Sequence, residues 1–194
     1  MARGHAPPVS DQSPPYPGSF WVIPGMLLAG GHPGGQDPSA MDSRLTAVLD
    51  AGIRSVINLM DEEEGAAVGD EAHYAHYEDR LETLGEERGE VIEIERYAID
   101  DGSMPGDGEL QMILDAIDAE IDGRGSPTLV HCATGLGRTA VIAGCYLARH
   151  GMATGKEAID KIHELRQDGN DTGSARSPEN IVQERLIQRW KEDQ

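Results

Sequence analysis

The chain has 194 residues, 38% of them hydrophobic, with 35 acidic side chains against 16 lysines and arginines and a formal net charge of -19. That length accommodates one compact α/β domain with a sizeable core and is short for two. The acidic balance argues against a nucleic-acid binder, whose affinity rests on neutralising phosphates, and disfavours docking on anionic membranes. It leaves a local phosphate site open, because backbone amides and one arginine outweigh a diffuse surface field at close range, though heavily charged substrates are steered away.

No apolar run approaches the roughly 20 residues that span a bilayer. The opening Met-Ala-Arg-Gly-His-Ala-Pro-Pro lacks the apolar stretch of a secretory signal, so the expected location is cytoplasmic. Two cysteines, Cys132 and Cys145, make neither a disulfide framework nor a four-ligand zinc site. No metal and no cofactor are expected.

In chain order, residues 1–18 hold five prolines and almost no large apolar side chains, which predicts a flexible tail ahead of a single domain over 19–194. Phe20-Trp21-Val22-Ile23 turns at Pro24-Gly25 and returns along Met26-Leu27-Leu28-Ala29, and Gly30-Gly31-His32-Pro33-Gly34-Gly35 reads as a loop. A helix from about Ser39 places Leu45, Val48 and Leu49 on one face and closes at Ala51-Gly52. The apolar run from Arg54 to Met60 suits a buried strand, and Asp61 to Glu64 a solvated loop. A polar helix is expected from Glu71 to Glu87, then a strand within Glu90 to Ile99. Leu110, Ile113, Leu114, Ile117 and Ile121 recur at helical spacing. Thr128-Leu129-Val130-His131 is a strand, Thr139 to His150 a buried helix, and two more helices near Gly155–Arg166 and Pro178–Glu192 close the chain. Alternating strands and helices imply an α/β fold, a central mostly parallel sheet flanked by helices.

The chemistry concentrates where the strand ending at His131 meets the helix beginning near Arg138. The loop Cys132-Ala133-Thr134-Gly135-Leu136-Gly137 then curls over a helix N-terminus, where unpaired N–H groups and the positive dipole end form an anion site. Gly135 and Gly137 let several amides converge. Thiols beside helix N-termini and cations titrate well below the free value of ~8.5, down to about 3.5–7.5. Arg138 offers a planar fork matched to two phosphate oxygens, which a lysine lacks. Nucleophile, anion cradle and clamp thus fall within seven consecutive residues. Cys132 as an ordinary core cysteine leaves the glycines and Arg138 without purpose. Gly135-x-Gly137-x-x-Ala140 also fits a dinucleotide fingerprint, but that motif belongs after a first strand, with an acidic residue about 20 residues on at the end of a second.

The run from Val130 to Thr139 resembles the signature loop of protein tyrosine phosphatases, specifically the small dual-specificity branch and its compact bacterial-type members. The resemblance extends to Phe20–Gly25, to Ile99-Asp100-Asp101-Gly102-Ser103-Met104-Pro105, and to Ser177-Pro178-Glu179-x-x-x-Gln183. It implies attack by Cys132 on phosphorus, a phosphocysteine, and release of phosphate by water. It implies that residues Ala133, Thr134, Gly135, Leu136, Gly137 and Arg138 cradle the phosphate. Asp101 would protonate the leaving oxygen, Thr139 would hydrogen-bond the thiolate, His131 would brace the loop from behind, and Gln183 would orient the attacking water. Ala140 replaces the family's usual glycine, and Thr134 stands where alanine or glycine is commoner. The Trp-Pro-Asp acid loop and the tyrosine-bearing pocket wall of the larger tyrosine-specific enzymes are missing, which implies a shallower pocket. Inositol-lipid members usually carry a lysine or second arginine inside the loop; here Ala133, Thr134 and Leu136 are uncharged, which favours a phosphorylated protein or peptide.

Cys145 lies about two turns into the following helix, roughly 10 Å beyond Arg138 at ~1.5 Å per residue, which favours core packing over a disulfide with Cys132. Asp61 to Glu64 follow a strand end and either rim the site or simply face solvent, the commoner case. His32, His73 and His76 are expected to face solvent. A catalytically silent phosphopeptide-binding module using the same nest is the alternative to an enzyme.

Overall fold

The structure, a computed structural model, describes residues 13–62, 64, 76–168 and 175–191. Among the described residues five short strands form one sheet: β1 (Phe20–Ile23), β2 (Leu27–Gly30), β3 (Ser55–Asn58), β4 (Glu93–Arg96) and β5 (Thr128–His131). Their order is β1-β2-β5-β3-β4, with β1 antiparallel to β2 and every other neighbouring pair parallel. Parallel neighbours need crossovers, and helices supply them. These are α1 (Pro38–Asp50) after β2, α2 (Glu78–Glu87) after β3 and α3 (Asp107–Asp118) after β4. Then come α4 (Arg138–Arg149), α5 (Lys156–Asp168) and α6 (Ile181–Arg189).

Strand alternation divides the core in two. Leu28, Val56 and Leu129 point to one face, where they meet Leu45, Val48 and Leu49 of α1 and Leu81 and Leu84 of α2. Leu27, Ala29, Ile57 and Val130 point to the other, against α3, α4, Ile159 and Ile162 of α5, and Leu186 and Ile187 of α6. The three central strands are buried along their whole length, as strands covered on both faces must be. Residues Arg138 to Ala148 of α4 are buried too, so this helix runs through the middle of its layer.

Several boundaries differ from expectation. Helix α2 begins at Glu78; residues 71–75 lie outside the described residues, and His76 and Tyr77 precede the helix. The α3 helix continues as a π-helical turn, Ala119–Arg124, ended by Gly125 in the left-handed region. Asn180 caps α6 by accepting from the Val182 and Gln183 amides, so that helix starts at Ile181, not Pro178. Within the segment expected to be a tail, Tyr16 is 3% exposed, and its hydroxyl donates to the Gly31 carbonyl at 2.9 Å. Packed structure therefore reaches back at least to Tyr16. Among the described residues no helix is long and apolar enough to cross a membrane.

Candidate active site

The carboxyl ends of the parallel strands converge on one edge of the sheet, where open α/β sheets bind ligands. Leu59 after β3 donates to the His131 carbonyl of β5 at 2.9 Å, and Ile99 beyond β4 donates to Leu59 at 3.2 Å. The loops leaving these ends carry Glu64, Asp101 and Cys132.

Cys132 is 1% exposed, and its sulfur accepts the Gly135 amide at 3.3 Å. Gly135 has φ +76, and a Cβ there would lie 2.6 Å from the Gly30 backbone, so no larger residue fits. The loop's carbonyls are held from three other elements. His32 N donates to Ala133 O at 3.0 Å, Arg166 of α5 to Gly135 O at 2.7 Å, and Ser177 to Leu136 O at 2.8 Å. Arg166 also lies over the Phe20 ring, 5.5 Å from its centroid, which ties α5 to β1 behind the loop. With these carbonyls bonded away from the loop, its amides are left for the centre.

Arg138 opens α4 and is 1% exposed. Its guanidinium does not stand empty. Nη1 donates to Glu64 Oε2 at 2.6 Å and to the Ile99 carbonyl at 2.9 Å; Nη2 donates to Glu64 Oε1 at 2.5 Å and to Asp101 Oδ1 at 2.9 Å. Burial opposes its charge, but Glu64 and Asp101 hold the guanidinium protonated beyond the ordinary arginine range. The acidic run expected to face solvent therefore reaches inward at Glu64. Asp101 is 74% exposed and hangs on the guanidinium by its tip. Asp100 is exposed and contributes its carbonyl to a turn closed by the Ser103 amide at 3.0 Å.

His131 is fully buried, and burial with the neighbouring His32 pushes its imidazole well below the usual histidine range, so it is neutral. Its Nδ1 faces the Cys132 carbonyl at 3.3 Å, which can only accept, and this assigns the single ring proton there. Nε2 then accepts from the Tyr77 hydroxyl at 2.6 Å. His32, expected in solvent, is instead buried edge-on against both rings. His76 is exposed, and His73 lies outside the described residues.

Two expected contacts differ. Thr139 donates to the Gly30 carbonyl at 3.2 Å rather than to sulfur, because β2 ends directly beside the first turn of α4. Gln183 is buried with both ends of its amide engaged, Oε1 by the Glu179 amide at 2.9 Å and Nε2 by the Ser103 carbonyl at 3.1 Å. Glu179, part of the matching Ser177–Gln183 segment but given no role there, presses its carboxylate against Gly137. Burial, then Asp101, raises its pKa above the usual carboxylate range. Ala133 and Leu136 are half-buried and Thr134 exposed, its hydroxyl accepting from the Leu136 amide at 3.2 Å. Both cysteines are free and buried; Cys145 packs in the helical layer, where burial pushes its thiol far up.

This sheet, with a cysteine-to-arginine loop between a central strand and a buried helix, is the architecture of the dual-specificity class of cysteine-based phosphatases. Kinase associated phosphatase shares it with a TM-score of 0.67 at 18% identity, over 91% of this chain and 94% of that one. Human tyrosine phosphatase-like serine/threonine/tyrosine-interacting protein aligns at TM-score 0.61 and 18% identity, covering 89% and 94%. PTPMT1 in complex with PI(5)P aligns at 0.58 and 22%, covering 88% and 94%. A 59-residue stretch is 41% identical to the Mus musculus dual specificity protein phosphatase CDC14B, covering 30% of this chain and only 11% of that protein. A family model described as "Polymorphic toxin system, DSP-PTPase phosphatase" matches residues 31–152, more than half of the chain. The chain belongs to that phosphatase family. The matched span contains Glu64, Asp101, Cys132 and Arg138 and stops short of Glu179 and Gln183.

Proposed function

We propose that the protein hydrolyses phosphomonoesters through a phosphocysteine and acts on phosphotyrosine-bearing proteins or peptides and simple aryl phosphates. The observation that carries this reading is the amide-supported Cys132 sulfur at the base of a loop whose arginine already holds Asp101. In the first step the Cys132 thiolate attacks phosphorus, the P–O bond to the leaving group breaks, and Asp101 gives that oxygen its proton. In the second, water attacks the phosphocysteine, Asp101 takes the water's proton, and the P–S bond breaks to release phosphate.

Asp101 must leave Arg138 to reach a leaving oxygen. Its departure frees an Nη2 hydrogen, and Nε makes no hydrogen bond among the described residues. The Nε and Nη2 hydrogens then form one two-pronged edge toward phosphate, while Glu64 and the Ile99 carbonyl fix the other edge. Ala133 to Gly137 complete the cradle, and His131 and Tyr77 hold Cys132 from behind. The two engaged ends of Gln183 support a role in tethering the acid loop through Ser103, and Thr139 must turn from Gly30 to serve the thiolate.

Three carboxylates around one arginine, with no cation at Ala133, Thr134 or Leu136, favour a single phosphate on a protein over a polyphosphorylated headgroup. The competing substrate reading rests on PTPMT1, whose structure holds PI(5)P. The competing class, a silent binding module, rests on the phosphatase-like interacting protein of the same fold. Wild-type protein should release nitrophenolate from 4-nitrophenyl phosphate and Cys132→Ser none, although serine keeps the nest. Oxyanion binding without turnover in the wild type would favour the module, and phosphoinositides outrunning phosphotyrosine peptides would overturn the substrate assignment.

A further inference from the structure

Beside the phosphate loop lies a cavity of about 340 Å³ between the Gly30–Gly35 loop and the loop's own Ala133 and Thr134. Its cation is Arg44 of α1, which is half-buried. The chain has 35 acidic residues for 16 basic ones. Arginines 54, 80, 88, 96, 138, 149, 176 and 189 each pair with a carboxylate. Among the described residues Arg44 makes no ion pair and no hydrogen bond. Packing holds it instead: Gly35 has φ +66, and a Cβ there would lie 2.7 Å from Nη1 and 2.9 Å from Cζ, so the guanidinium rests against bare backbone. The one carboxylate among the described residues lining the cavity, Asp37, caps α1 through Oδ1, which accepts from the Ser39 amide at 2.9 Å and the Ser39 hydroxyl at 2.7 Å; it keeps its charge and attracts Arg44 through space without forming a contact ion pair. His32 contributes no charge, since burial and the nearby His76 and Arg44 push its pKa down to about 4.

We propose that this cavity is a second anion subsite, which takes an acidic side chain flanking the phosphorylated residue of a peptide substrate. The proposal rests on the phosphatase reading and adds to it a substrate preference. A half-buried, unpaired guanidinium beside the reacting loop gains a charge-assisted bond without first breaking one. The shared wall at Ala133 and Thr134 sets the two sites a few residues apart along an extended chain, which advances ~3.3 Å per residue. A soluble peptide suits it better than a lipid surface, because a bilayer would have to approach a protein of net charge -19.

The test compares kcat/KM for three phosphotyrosine peptides, flanked by glutamates, by glutamines or by lysines, on wild type, Arg44→Gln and Arg44→Glu. Wild type should prefer the acidic peptide by about tenfold, through KM, with the preference shrinking in high salt. Arg44→Gln should erase the preference while leaving 4-nitrophenyl phosphate turnover within about twofold, and Arg44→Glu should favour a lysine-flanked peptide. An acidic preference that survives Arg44→Gln, or none in the wild type, overturns the subsite. So does an Arg44-dependent gain confined to bisphosphorylated inositol headgroups. If the wild type hydrolysed nothing, the phosphatase reading alone would fall. Anisotropy titration of the same peptides onto Cys132→Ser protein with and without Arg44→Gln would still decide the subsite, by a tenfold affinity difference or its absence.

Discussion

At the scale of single residues, two adjacent aspartates have different surroundings. Asp101 touches Arg138, while Asp100 spends its carbonyl on the turn to Ser103. Asp101 and Gly102 form the turn that follows Asp100. Asp101 stands at the corner nearest the guanidinium. General acids typically contribute 10²–10⁴-fold, and most when the leaving group is poor. Asp101→Asn should therefore slow phenyl phosphate hydrolysis by about 10²-fold or more and nitrophenyl phosphate far less, while Asp100→Asn should stay within a few-fold on both. A larger, leaving-group-dependent loss at Asp100 would make Asp100, and not Asp101, the acid. The sequence left the Asp61–Glu64 run between the rim of the site and solvent and did not single out Glu64. Charge runs usually face solvent, and its partner Arg138 is 74 residues away in the chain.

At the scale of elements, strand β5, the loop and helix α4 were legible because their signals are local: an apolar run, glycines, a cysteine and an arginine at fixed spacing. The bracing was not, since Arg166, Ser177, His32 and Tyr77 reach the loop only through the tertiary fold. Helix starts went astray where caps decide them, as at Asn180. The bracing makes the loop intolerant of added volume. Gly135→Ala must place an L-residue at positive φ, which costs roughly 1–2 kcal/mol, and drive a Cβ into the Gly30 backbone. The variant should be destabilised by about that amount or more, and should lose phosphate affinity and turnover together. Denaturant unfolding alongside phosphate titration checks both; a variant that binds and turns over normally would mean the loop is not held as described.

At the scale of the whole molecule, the alternation of strands and helices announced a mostly parallel sheet. The order β1-β2-β5-β3-β4 was not written in any local pattern, because crossovers set it. Burying two neutral histidines beneath the site has a global consequence. His32 is pushed down to about 4 and His131 well below its usual value, both first by burial. The unfolded chain takes up protons at both as pH falls below ~6.5, and the native state does not. Their contribution is thus present above that pH and is lost as pH falls toward the folded values. Urea unfolding at pH 7 and pH 5 should differ by about 1–2 kcal/mol for each histidine, with the protein weaker at pH 5. A flat profile across that interval would contradict two neutral buried imidazoles.

The central claim is that Cys132 carries the phosphoryl group, and trapping that intermediate tests it most directly. Wild-type protein mixed with a fast aryl phosphate, quenched within a turnover and digested, should yield a phosphate adduct on the peptide containing Cys132. Arg138→Lys should yield far less of it, because a point charge cannot reproduce the two-pronged contact. Sustained hydrolysis with no adduct on that peptide, or with the adduct on another residue, would contradict the account.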